Sequence, residues 1–127
     1  MTKVLMLLTG LLLLTGCAAG EKNASYLQVS AQEAVRMMGE EEGYIILDVR
    51  TQAEYEEGHI PGAVCIPNEE IGTERPEGLT DPAQRIFVYC RSGNRSKKAA
   101  QKLADMGYTA IVEMGGILDW PGETTGE

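Results

Sequence analysis

Apolar and polar positions divide the chain into a blunt N-terminal run and an alternating body. Val4 to Leu14 is almost wholly apolar and follows a single basic residue, Lys3. A run of about 7–15 apolar residues behind a positive start reads as a secretory signal, too short to span a membrane. Glu21 to Ser25 is polar and reads as a tether. Beyond it, Tyr26 to Val29 predicts a short strand. Ser30-Ala31-Gln32-Glu33 has the form of a capping box, opening a helix to about Met38 with Ala34, Val35 and Met38 turned inward. Glu40-Glu41-Glu42-Gly43 reads as a solvated helix end and turn. Tyr44 to Val49 is a continuous apolar run carrying Asp48, as expected of a strand buried on both faces of a parallel sheet. Thr51-Gln52-Ala53-Glu54 predicts a second capping box and a short helix stopping at Gly58. Ala63 to Ile66 predicts a strand closed by Pro67. Gly and Pro punctuate Asn68 to Pro82 as loop. Arg85 to Tyr89 is the strongest strand signal and delivers Cys90 at its C-terminal end. A helix follows from about Asn94 to Met106, ended by Gly107, with Ala99, Ala100, Leu103 and Ala104 as its apolar face. Thr109 to Met114 is another strand, Gly115-Gly116 a turn, and Ile117 to Trp120 a short terminal element. Strands alternating with helices predict an α/β layer fold with a mostly parallel sheet.

Leu14-Thr15-Gly16-Cys17 resembles the lipobox of bacterial lipoproteins. The resemblance implies a signal peptide over residues 1–16, cleavage before Cys17, and lipid on the Cys17 sulfur and amine. Residues 17–25 then form the lipidated cysteine and tether. The plainer alternative is an ordinary secretory signal in which Cys17 is incidental. Either way the protein is expected to be exported. With lipid it is anchored to the cell envelope on a periplasmic or outer-surface face. Ala18 after the cysteine, in place of Asp, favours an outer membrane where a cell has two.

Cleavage leaves 111 residues, enough for one compact domain, with 10 basic side chains against 19 acidic ones. That balance argues against nucleic acid, whose backbone needs clustered Lys and Arg. It argues equally against electrostatic attachment to anionic lipid, so attachment rests on acyl chains. Within this acidic chain, 5 of the 10 cations fall between residues 91 and 102: Arg91, Arg95, Lys97, Lys98 and Lys102. Between Glu77 and Asp105 the only acidic residue is Asp81.

Positive charge is therefore concentrated around Cys90. In an open α/β sheet, ligands bind beyond the carboxyl ends of the strands. Arg91-Ser92-Gly93-Asn94-Arg95, followed by Ser96, connects such an end to a helix start. Gly93 and Asn94 tolerate the left-handed backbone that lets successive N–H groups converge. With the helix N-terminus these amides form an anion cradle. A cysteine so placed has a depressed pKa and reacts as thiolate. The bland reading is a buried structural cysteine beside a solvated basic helix face.

Three segments carry a family resemblance. Leu47-Asp48-Val49-Arg50 with Glu54 to Ala63 (Glu-Tyr-Glu-Glu-Gly-His-Ile-Pro-Gly-Ala) resembles the first signature of the rhodanese family. Tyr89 to Ser96 resembles its active-site loop, and Gly115-Gly116-Ile117-Leu118-Asp119-Trp120 its closing motif. The match spans 26–121, leaving 122–127 as an expected flexible tail. The resemblance implies a small parallel five-stranded sheet flanked by helices. It implies a sulfurtransferase in which Cys90 takes the outer sulfur of a donor such as thiosulfate and becomes a persulfide. The amides from Arg91 through Ser92, Gly93, Asn94 and Arg95 to Ser96 would hold the extra sulfur, and Arg91 and Arg95 would attract the dianionic donor. Cyanide or a thiol would accept the sulfur. No metal or organic cofactor is needed, and a monomer is expected.

Other residues are weighed against plainer roles. His59, the only histidine, lies in a turn and reads as structural rather than as a base. Asp48 and Arg50 read as supporting residues at the sheet end, with Arg50 expected to pair with Glu54 at the exposed helix start. Cys65 could resolve the Cys90 persulfide but reads better as a small buried hydrophobe. The family's strand order separates the two cysteines by about two strand spacings, roughly 9–10 Å. Trp120 reads as core cover. Two rival functions remain. Cysteine phosphatases and some arsenate reductases use a Cys-x5-Arg loop, but here Ser96 occupies the Arg position and Arg95 comes one residue early. The other rival is a tethered sulfur carrier or partner-binding module without turnover.

Overall fold

The computed structural model describes residues 24–126. The expected signal peptide, Cys17 and most of the tether lie outside the described residues. Five strands and three helices alternate: β1 (Leu27–Gln28), α1 (Ala31–Glu40), β2 (Ile45–Asp48), α2 (Gln52–Glu57), β3 (Val64–Cys65), β4 (Ile86–Cys90), α3 (Asn94–Asp105) and β5 (Ile111–Gly116). Short 3-10 turns follow at Asn68–Glu70 and Ile117–Asp119. The strands form one sheet in the order β1-β5-β4-β2-β3, and every pairing is parallel. This is the five-stranded α/β architecture expected from the sequence.

β4 lies at the centre of the sheet and all five of its residues are buried. Side chains alternate across a strand, and β4 divides accordingly. Ile86, Val88 and Cys90 face a core built with Ala99, Ala100 and Leu103 of α3, while Phe87 and Tyr89 face a second core with Ala34, Ile60 and Met114. Parity alone therefore aims Cys90 at the α3 side. The four α3 positions expected to be apolar are all buried. Gly107, at φ 103°, ends that helix in the left-handed region.

Some local expectations change in three dimensions. Ser30 caps α1 by accepting from the Glu33 N–H, but the Glu33 carboxylate turns to Arg36 instead of completing the box. Val35 is exposed rather than buried. In α2 both halves of the Thr51–Glu54 capping box form. The expected strand over Ala63–Ile66 shortens to two residues. The expected tail is tied down: Thr125 bridges His59 through N–H···O bonds in both directions (2.7 and 2.8 Å), and the Trp120 indole donates to the Glu123 carbonyl.

Candidate active site

Cys90 ends β4, and Gly93 three residues later takes φ 113°, ψ −14°. Of the two residues expected to tolerate a left-handed backbone, Gly93 alone uses it; Asn94 begins α3. The turn folds the loop back so that the Gly93 N–H donates to Cys90 Sγ at 3.0 Å. Ser96, one turn into the helix, places its Oγ 3.4 Å from Sγ. Burial pushes the Cys90 thiol up. The Ser96 hydroxyl and the N–H groups of Ser96, Gly93 and Ser92 more than offset this, so the thiol sits below its ordinary value.

The loop also rests on β5. The β4–β5 register pairs Val88 with Glu113 but Cys90 with Gly116, so β5 carries one extra residue there. This is a β-bulge beside Cys90, with Gly115 at φ 88°. Gly116 packs against the loop backbone. A Cβ at this position would lie 2.0 Å from the Arg91 carbonyl oxygen, which also accepts from the Leu118 N–H at 3.3 Å. The double glycine of the closing motif is thus a bulge followed by a close approach.

The positively charged residues separate into two groups. Arg91, Lys97 and Lys98 are exposed. Arg95 is half-buried and donates through both terminal nitrogens to Glu54 of α2 at 2.8 and 3.1 Å. Its guanidinium holds the Glu54 carboxyl down to about 2. Lys102 donates to the carbonyl and side chain of Asn68. Arg91, not Arg95, is the loop arginine left exposed. Ser92 and Asn94 are exposed at the rim, whereas Gly93 and Ser96 are buried.

Asp48 and Arg50 organise the other side of the strand ends. The expected Arg50–Glu54 pair does not form, because Glu54 is taken by Arg95. Arg50 instead turns onto Asp48, with Nη2 to Oδ2 at 2.6 Å and Nε to Oδ1 at 2.9 Å. Both are buried. Arg50 Nη2 also donates to the Gly58 carbonyl. The Tyr89 hydroxyl donates to Asp48 Oδ2 at 2.6 Å and accepts from the Ile60 N–H. Burial, and the Asp48 acceptor, raise the Tyr89 phenol, so it remains a donor. His59 is buried above this network. Its ring stacks on Tyr55 at 3.7 Å between centroids, with Nδ1 2.8 Å from the Tyr55 carbonyl.

Cys65 is half-buried on β3, and β2 separates it from β4. Its Sγ lies 3.6 Å from the Arg50 carbonyl. Burial and the charge of Asp48 push this thiol up to about 11, opposite to Cys90. One residue of the site lay unnoticed in the sequence. Glu113 is buried, and its Oε2 accepts from Ser96 Oγ at 2.5 Å and from the Gly115 N–H at 3.0 Å. Its signal was a lone acidic residue inside the apolar run Ile111-Val112-Glu113-Met114.

Known proteins resemble this chain in sequence and fold. Residues 30–123 match the rhodanese-like domain family. Bacillus subtilis YrkF, provisionally named a sulfur carrier protein, is 33% identical over 107 residues. The alignment covers 84% of this chain but only 57% of YrkF, so the chain spans little more than half of that relative. Thiosulfate sulfurtransferase PspE of Escherichia coli is 34% identical over 73 residues, covering 58% of this chain and 70% of PspE. The solved rhodanese-like domain of an Anabaena protein superposes with a TM-score of 0.70 at 29% identity, covering 81% of each chain. A parallel five-stranded sheet, a cysteine at the end of its central strand and a family match over that whole unit converge: the chain belongs to the rhodanese-like family, whose relatives include sulfurtransferases.

Proposed function

We propose that the protein transfers a sulfane sulfur from thiosulfate or a similar anionic donor to a thiol or other thiophilic acceptor, through a persulfide on Cys90. The observation that carries this reading is the nucleophile's setting: a thiol lowered by the hydroxyl and N–H groups that converge on it. The Cys90 thiolate attacks the outer sulfur of thiosulfate. The donor's S–S bond breaks and its electron pair leaves on sulfite. The new S–S bond puts the negative charge on the outer sulfur, within reach of the loop amides, whose fixed dipoles stabilise it. Arg91, exposed at the rim, steers the dianion in. Cyanide or a thiolate then attacks the outer sulfur and regenerates the Cys90 thiolate.

The geometry favours this over phosphate-ester chemistry. Where a phosphatase loop needs an arginine, Ser96 stands, and the neighbouring Arg95 is bound to Glu54. A carrier role with slow turnover is the second reading, favoured by the resemblance to YrkF. The test is thiocyanate production from thiosulfate and cyanide by a soluble form beginning after Cys17. Turnover that vanishes in Cys90→Ser is expected. Equal rates in the two proteins would refute the reading, and a persulfide without turnover would favour the carrier.

The reading also places the protein outside the cytoplasm on a lipid anchor at Cys17, supported by the apolar run and lipobox in the sequence. Radiolabelled fatty acid should enter the full-length protein and not Cys17→Ser. Label in neither would contradict the anchor.

A further inference from the structure

The Ser96 hydroxyl has one proton to give, and Glu113 Oε2 at 2.5 Å is the nearest of the acceptors around it, ahead of the Gly93 carbonyl at 3.0 Å and of Cys90 Sγ and the Gly115 carbonyl, each at 3.4 Å. Ser96 is fully buried and Glu113 is 1% exposed. Packing does not call for a carboxylate in this strand, where Ile111, Val112 and Met114 all belong to the apolar cores. Burying one costs several kcal/mol unless it is well matched. Glu113 is met by the Ser96 hydroxyl and by the N–H of Gly115 at the bulge. It therefore reaches the nucleophile through a single oxygen atom.

We propose that Glu113 is a positioning residue for Cys90, acting through Ser96 by competing with the sulfur for the one hydroxyl proton. In the thiol form the chain runs Sγ–H to Ser96 Oγ, and Ser96 O–H to Glu113. When Cys90 ionises, its proton goes to solvent. The hydroxyl then turns from Oε2 to Sγ, leaving Glu113 with the Gly115 N–H. No bond other than S–H changes. Glu113 thus restrains the empty nucleophile, while the loop amides favour its ionised form.

Of the charged groups on the surrounding elements, Arg91 beside Cys90 is exposed at the rim and most of the others are engaged. Arg95 of α3 is bound to Glu54 of α2, and Asp48 and Arg50 at the end of β2 are bound to each other. Glu33, Arg36 and Glu40 of α1 pair among themselves at the surface. Opposite Glu113, β1 presents the uncharged Gln28. Lys97 and Lys98 point to solvent, and Lys102 holds Asn68.

The proposal rests on Cys90 as the reactive thiol but not on the identity of any sulfur donor. Its test therefore uses iodoacetamide without donor. The rate at Cys90 is followed across pH by peptide mass spectrometry, which separates it from Cys65. Glu113→Gln removes the competing charge and should move the Cys90 midpoint down by about one pH unit. In a Ser96→Ala background the same substitution should move it less than about half as far. No shift in the first comparison overturns the proposal. So do equal shifts in both backgrounds, which would mean direct repulsion between the charges. If Glu113→Gln does not fold, carbon-13 carboxyl resonances of the labelled wild type decide. The Glu113 signal should inflect at the Cys90 midpoint and lose that inflection in Cys90→Ser. A Glu113 signal indifferent to Cys90 overturns the coupling. Failure of any of these leaves the thiocyanate result, and the sulfurtransferase reading, untouched.

Discussion

Two buried carboxylates flank the strand that ends in Cys90, and they are treated in opposite ways. Asp48 ends β2 on one side of β4, and Glu113 lies in β5 on the other. Asp48 is matched in full. A guanidinium, a tyrosine hydroxyl and the Arg50 N–H converge on its two oxygens. Through Arg50 and Tyr89 that cluster reaches the Gly58 carbonyl and the Ile60 N–H, so it pins the turn holding His59. Glu113 is met by a rotatable hydroxyl and one amide, and that hydroxyl also lies within reach of Cys90 and the Gly93 carbonyl. A carboxylate matched by a fixed cation builds scaffold. One matched by a shared proton stays coupled to chemistry. Parity enforces the division: Asp48 pairs in register with Tyr89, and Glu113 pairs with Val88 on the Cys90 face.

The comparison can be broken most forcefully at Arg50. Arg50→Ala leaves the Asp48 charge buried without its cation, and stability should fall by about 3–5 kcal/mol. Urea unfolding measures this. A loss below about 1 kcal/mol would mean that Asp48 does not depend on the pair and that the two carboxylates are alike. A smaller effect is expected on the other side of β4. Gly116→Ala puts a methyl group 2.0 Å from the Arg91 carbonyl, so the loop must shift. A displacement of about 1 Å at a reacting group can lower a rate about a hundredfold. Sulfur transfer should fall by that order while most of the stability survives. Undiminished transfer would show that the loop does not rest on β5.

The smallest effect belongs to the link between α2 and the loop. The Glu54 carboxyl is held down to about 2, from an ordinary 4.5, by Arg95. A carboxyl lowered by folding stabilises above its unfolded value. That contribution is lost as pH falls from about 4.5 toward 2. Glu54→Gln should therefore lower stability by about 0–1 kcal/mol near neutrality and flatten the acid limb of the wild-type stability curve. An unchanged acid limb would remove the ion pair from the account.

The elements whose order and type were legible are those written in local patterns. A five-residue apolar run made β4, Thr51 and Glu54 made a complete capping box, and Gly107 ended α3. The Cys90 loop was legible because glycine, arginines and a strand end lie within seven residues of sequence. What the sequence hid was long-range choice. Glu54 had two arginines to choose from, Arg50 four residues back and Arg95 across the fold. The buried demand of Asp48 for a cation decided the matter. Glu113 looked like one charge in a strand because its partner, Ser96, is 17 residues away. The tail read as free because the backbone pairing of Thr125 with His59 is written in no side chain.

The central claim is that Cys90 accepts a sulfur atom, and intact-mass spectrometry tests it most directly. After brief exposure to thiosulfate and removal of excess donor, the wild type should gain the mass of one sulfur atom. The gain should map to the Cys90 peptide, disappear on treatment with cyanide, and never arise in Cys90→Ser. Sulfur found on Cys65 instead, or a wild type left unmodified by excess thiosulfate, would contradict the account.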